Sequence, residues 1–116
     1  MVKTTFKKLL KSPKYHINKK IVISTLTAIG YKIKISSDEL EAFKIDKSGR
    51  YHMIIELYSN GEIYKGSEIS LHEDIQYGPG HPVKIKGYRL NKEFNIFQGE
   101  LIKQCKKYKQ TNQSQN

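Results

Sequence analysis

The chain has one cysteine, Cys105, among 116 residues. No intramolecular disulfide can form, and neither can a cysteine-based zinc site. A lone thiol suits a reducing compartment, so a cytoplasmic location is expected. Tryptophan is absent, and proline occurs three times. Long apolar runs are missing as well. The longest such stretch, IVISTLTAIG at residues 21–30, is too short and too polar to cross a bilayer. The opening MVKTTFKKLLKS has lysines but no apolar segment after them, unlike a secretion signal. No membrane partner is expected. Arginine is scarce: of 21 basic residues only Arg50 and Arg89 are arginine. Lysine acts as a point charge, whereas arginine reads bases and phosphates bidentately. Any nucleic-acid contact should therefore go to the backbone rather than to base edges.

Acidic residues are missing from the first 37 positions, which hold nine lysines. Residues 38–75 hold nine acids against four bases, and residues 76–116 hold eight bases against two acids. The three blocks carry +9, −5 and +6 within a net charge of +10. Both ends are basic and the middle is acidic. A basic surface concentrates anions, and nucleic acid is the commonest such partner.

The period of the apolar residues outlines the elements. Val2, Phe6, Leu9 and Leu10 predict a helix over 2–11, ended by Ser12-Pro13. Asn18 as N-cap, with Val22, Leu26 and Ile29 on one face, predicts a helix over 18–29 ahead of Gly30. The period then changes to two. YKIKI at 31–35 reads as a strand with Lys32 and Lys34 on a wet face. Residues 36–42 read as a turn or a single helical turn, since Ser36 and Glu39 have capping-box spacing. A meander follows. Phe43 and Ile45 alternate, and RYHMIIELY at 50–58 is the strongest strand, with Tyr51, Met53, Ile55 and Leu57 on its apolar side. Ser59-Asn60-Gly61 reads as a hairpin turn and 62–72 as the returning strand, with a bulge at Gly66. VKIKGY at 83–88 is expected to be a strand, and a helix should run from Asn91 along Phe94, Phe97, Leu101, Cys105 and Tyr108. Residues 110–116 have no core-forming side chain and are expected to be a disordered tail to a single domain over 1–109. The fold class is α+β: an antiparallel meander of four or five strands packed by a C-terminal helix and one or two N-terminal helices.

The chemistry-bearing window is LHEDIQYGPGHPVKIKGY, residues 71–88. A loop histidine beside a cation and a tyrosine is enough for metal-independent RNA cleavage. His81, Arg89 and Tyr77 are the catalytic candidates for a small toxin-type ribonuclease. The plainer reading makes Gly-Pro-Gly-His-Pro a rigid turn. His72, Glu73, Asp74 and His81 have metal-ligating types, but their spacing matches no standard motif, so no metal and no cofactor is expected. His52 and Glu56 share a strand face and read as its solvated side. No phosphate-cradling glycine loop, RNP-type string or nucleophile elbow is present.

The leading expectation is a nucleic-acid-binding accessory protein for RNA or single strands. Lys32, Lys34, Lys84, Lys86, Arg89, Lys103, Lys106 and Lys107 would contact phosphates, and Tyr88 would stack on a base. Tyr31, Tyr64 and Tyr77 are further stacking candidates. Besides the ribonuclease, the alternative is a non-enzymatic module binding an acidic protein. A free strand edge would permit a homodimer. If the helices lie on one side of the sheet, the two basic segments merge into one anion-binding face.

Overall fold

The structure, a computed structural model, describes residues 2–73 and 87–114, with 109–114 as backbone only. The elements are β1 (Val2–Thr5), α1 (Phe6–Leu10), α2 (Lys19–Ala28), β2 (Lys32–Ile35), β3 (Glu39–Asp46), β4 (Gly49–Glu56), β5 (Glu68–Glu73) and α3 (Gly87–Ser114). The five strands form one antiparallel sheet in the order β1-β5-β4-β3-β2. This is the expected α+β architecture. Strands β2 to β5 are a meander, and β1 closes the far side by pairing with β5.

The first strand departs from the helix expected over 2–11. Val2 to Thr5 pair with Leu71 to Glu68. Thr4 and Thr5 are β-branched and suit that pairing. A long-range ladder on the edge of β5 outweighs a local apolar spacing shared by a few residues. The helix is confined to Phe6–Leu10, where Thr5 Oγ1 accepts from the Lys8 amide at 3.3 Å and Lys11 ends the turn at φ 55°. Residues 36–42 are likewise not helical. Ser36 Oγ bonds to Asp38 Oδ1 and to the Glu39 carbonyl, and the chain turns directly from β2 into β3.

The second half of the meander is shorter than its pattern suggests. Only Glu68–Glu73 pair, while residues 57–67 form a connecting loop. Its Ile63 is nonetheless buried. Asn60 holds the turn by accepting from the Glu62 amide at 3.0 Å, beside Gly61 at φ 79°. Gly66 lies in this loop rather than at a bulge. The expected strand over 83–88 is not continuous either, because Gly87 and Tyr88 already belong to α3. The remainder of that segment lies outside the described residues.

The second helix agrees with its sequence signals. Asn18 Oδ1 accepts from the Ile21 amide at 2.9 Å, and Gly30 follows the helix at φ 96°. Ile21, Val22 and Leu26 are buried.

The core is one cluster between the sheet and the helices. Tyr51, Met53 and Ile55 of β4 and Ile69 and Leu71 of β5 meet Phe6, Val22, Leu26, Phe97 and Leu101 from the helices. Strand β1 lies at one edge of the sheet and β2 at the other, so α1 and α2 must carry the chain across the same face. All three helices thus form one layer, and the opposite face of the sheet is free of them. No helix among the described residues is long and apolar enough to cross a membrane.

Candidate functional site

Three polar arrangements stand out: the outer side of the helical layer, a histidine chain on the open sheet face, and a buried network between the layers.

The helical layer is basic. Lys7 and Lys8 of α1, Lys20 of α2, and Lys92, Lys103, Lys106 and Lys107 of α3 are exposed, as are Lys11 and Lys14 in the intervening loop. That loop is held to α3, since the Cys105 thiol reaches the His16 carbonyl at 3.5 Å. Among the described residues the layer's acids are two: Glu93, which is buried, and Glu100, bonded to Gln104 at 2.8 Å. The open sheet face carries Glu39 and Glu41 from β3, Glu56 from β4 and Glu68 from β5, all turned away from the buried positions of their strands. Asp38, Glu39, Glu56 and Glu68 line a shallow depression of about 540 Å³ there. Lys3, Lys32, Lys34 and Arg50 project from the same open face, so that face is mixed in sign while the helical layer is basic.

The open face also assembles a chain of hydrogen bonds. Phe43 pairs with His52 across β3 and β4, and His52 pairs with His72 across β4 and β5. His52 Nδ1 lies 2.9 Å from His72 Nε2, and His52 Nε2 lies 3.0 Å from Glu41 Oε1. Phe43 stacks on the His52 ring at 4.6 Å with an interplanar angle of 8°. A carboxylate only accepts, so His52 donates from Nε2 to Glu41, and between His52 Nδ1 and His72 Nε2 one ring donates and the other accepts according to their tautomers. Both ring nitrogens of His52 are engaged, and its side chain is only 14% exposed. This chain orients the rings. It does not leave His52 as a free base.

The buried network joins Tyr31, just ahead of β2, to β3 and α3. Lys44 Nζ lies 2.7 Å from Glu93 Oε1, and the Tyr31 hydroxyl donates to the same oxygen at 2.9 Å. The ammonium also sits 5.5 Å from the Tyr31 ring and 5.9 Å from the Tyr51 ring, as a cation–π contact would place it. Burial, first, and then Glu93 push the Tyr31 phenol far above its ordinary range. Arg89 lies 3.9 Å from Asp46. The Tyr51 hydroxyl beside it raises the Arg89 pKa most, burial opposes that rise and Asp46 adds to it. The alignment of Tyr51 with Arg89 falls short of a full hydrogen bond among the described residues.

The residues singled out from the sequence fall into several places. Lys103, Lys106 and Lys107 lie on the outer side of α3, whereas Lys32 and Lys34 lie on the open sheet face opposite Phe43 and Glu41. They do not share one surface. Tyr88 is 65% exposed in the first turn of α3, next to Arg89. Tyr31 is buried, which removes it as a stacking residue; the hydroxyl of a strand-edge tyrosine found a carboxylate instead. Tyr64 is exposed and packs edge-on against Tyr58 at 4.7 Å. Tyr77, His81, Lys84, Lys86 and Asp74 lie outside the described residues. Among the described residues no group of three acids, histidines or cysteines is placed to hold a metal ion.

Glu41, Phe43, Lys44 and Glu93 were not singled out by sequence. One cue was available for Glu93: it falls one residue before Phe94 on the apolar stripe of α3, where a carboxylate must be paired. Comparison of the chain with protein-family models, with curated proteins and with solved structures finds no match.

Proposed function

We propose that the protein binds nucleic acid through the lysines of its helical layer, chiefly by contacts to phosphates. The observation that carries this reading is the gathering of lysines on the helical layer, where Glu93 is buried and Glu100 is bonded to Gln104. Lysines far apart in sequence, at 7–20 and at 92–107, come to one side, whereas the opposite sheet face mixes the strand carboxylates with Lys3, Lys32, Lys34 and Arg50. A surface of scattered solubilising lysines would keep both signs mixed. A one-signed face steers a polyanion and orients it. Lysine-rich contacts of this kind are to the backbone and carry little sequence preference.

The test is fluorescence anisotropy with single-stranded RNA and DNA over a salt series. Binding should weaken steeply with salt, by a slope of about 0.7 per phosphate contacted on a single strand. Reversing Lys7, Lys8, Lys103 and Lys106 to Glu should reduce affinity more than tenfold and flatten that slope. Salt-independent binding, or none at about 50 mM salt, would falsify the reading and leave an acidic protein as the partner to seek.

A further inference from the structure

We infer that the depression on the open sheet face binds a linear aliphatic polyamine. The site is independent of the nucleic-acid reading above, because it lies on the side of the sheet away from the helices. The depression has a volume of about 540 Å³, and its lining includes the carboxylates of Asp38, Glu39, Glu56 and Glu68 but no cationic side chain. That size lies in the range of small-molecule sites, roughly 300–1,000 Å³. Two observations beyond the acids point to an occupant. Glu39 stands directly opposite Glu56 across β3 and β4. Like charges in that position repel, and among the described residues no cation bridges the two. Ser70 is the second. It lines the depression from the open face, opposite Ile54, and is 9% exposed. Its hydroxyl has no hydrogen-bond partner among the described residues, so a buried acceptor is left open at the floor of an acidic site.

The arrangement selects the kind of cation. The pairing of Ile55 with Ile69 carries the row of Glu39 and Glu56 on to Glu68 in β5. Adjacent strands lie about 4.8 Å apart, so the row sets its carboxylates in steps of that size, with its ends about 10 Å apart. A metal ion needs oxygens that converge on one point at about 2–2.6 Å, and no group among the described residues is so placed. A chain of ammonium groups separated by methylenes matches a row instead. The ammoniums donate to Glu39, Glu56 and the Ser70 hydroxyl. Ile54, on the same face, is an apolar floor for the methylenes. The Tyr58 ring, 40% exposed at the wall, offers its face to a cation. That ring is already held, edge-on to Tyr64 at 4.7 Å. Lys3 meets Glu68 at 3.5 Å, but both side chains are more than half exposed, and a contact so open to water yields readily to a second cation.

The experiment titrates spermidine, Nα-acetyl-lysine amide and Mg²⁺ into the full chain at one ionic strength, read by calorimetry and by amide resonances. Spermidine should bind about tenfold more tightly than the single-ammonium lysine derivative, the scale of two further exposed ion pairs. Amides of Ile54, Glu56 and Ser70 should shift with spermidine, and those of Lys103 and Lys106 should stay still. Glu39→Gln with Glu56→Gln should lower spermidine affinity about tenfold and should not lower the urea midpoint, since it removes a like-charge contact. Glu100→Gln, on the helical layer, should leave affinity unchanged. Should the double variant unfold, Ser70→Ala replaces it and should lower affinity about threefold. Equal affinity for spermidine and the lysine derivative overturns the polyamine and makes a protein lysine the occupant. Mg²⁺ binding as tightly as spermidine, or full affinity in the double variant, reduces the effect to screening of surface acids and overturns the site. Absence of spermidine binding overturns it too.

Discussion

The Lys44 ammonium lies 2.7 Å from Oε1 of Glu93, with the carboxylate 3% exposed and the lysine 17%. The pair links the middle of β3 to the first turns of α3. A charge taken out of water this far needs its partner, because the interior solvates it poorly.

Removing one partner should therefore cost far more than removing the whole group. Lys44→Met should lower stability by about 3 kcal/mol, softened by the Tyr31 hydrogen bond that remains on Glu93. Lys44→Met, Glu93→Leu and Tyr31→Phe together should recover most of it. Urea titrations of the single and combined variants check this, and additive losses would show that the pair carries no coupling.

Stability should fall at alkaline pH. Burial pushes the Cys105 thiol from 9.0 up to about 11, and it also raises the Tyr31 phenol. Both groups keep their protons in the fold at a pH where the unfolded chain has released them. The folded state then binds more protons, so unfolding becomes easier as pH rises past the ordinary thiol and phenol values. The urea midpoint should drop as pH rises from about 9 to about 11. Cys105→Ala should shallow the first part of that drop. A midpoint that stays level would mean that neither group is shielded.

The N-cap of α2 gives a local test. Asn18→Ala removes the acceptor for the Ile21 amide and should cost about 1 kcal/mol. Asn18→Asp keeps the acceptor and should cost little. Thermal denaturation of the two variants distinguishes them. Equal losses would show that side-chain packing, not the cap, is what matters at this site.

The open sheet face provides the control for nucleic-acid binding. Glu56→Lys with Glu68→Lys reverses two exposed carboxylates on the side away from the helices and, among the described residues, breaks the surface contact from Glu68 to Lys3. Stability should change by less than about 1 kcal/mol. Affinity for RNA should hold or rise. A loss as large as that of the helical variant would move the interface to the sheet.

Much of the molecule is legible in its sequence. Strand β4 alternates over Tyr51, Met53 and Ile55, and α3 repeats Phe94, Phe97, Leu101 and Cys105 at helical spacing. Such patterns are local, because the chain itself sets the period of its side chains. Capping and turn chemistry at Asn18 and Gly61 is local too. The block charges follow from the order of the residues alone. Other features have no local cause. Val2–Thr5 is a strand because β5 offers it an edge about 65 residues away, not because four residues prefer it. Glu41, His52 and His72 meet because three strands pair in one register, and a one-residue slip would turn His52 into the core. Lys7 and Lys103 share a face because β1 and β2 occupy opposite edges of the sheet and the helices must cross between them. The sequence determined which residues can be buried and which must be wet. Which wet residues stand together was decided by the tertiary structure, because strand pairing and helix packing join positions that no local period relates.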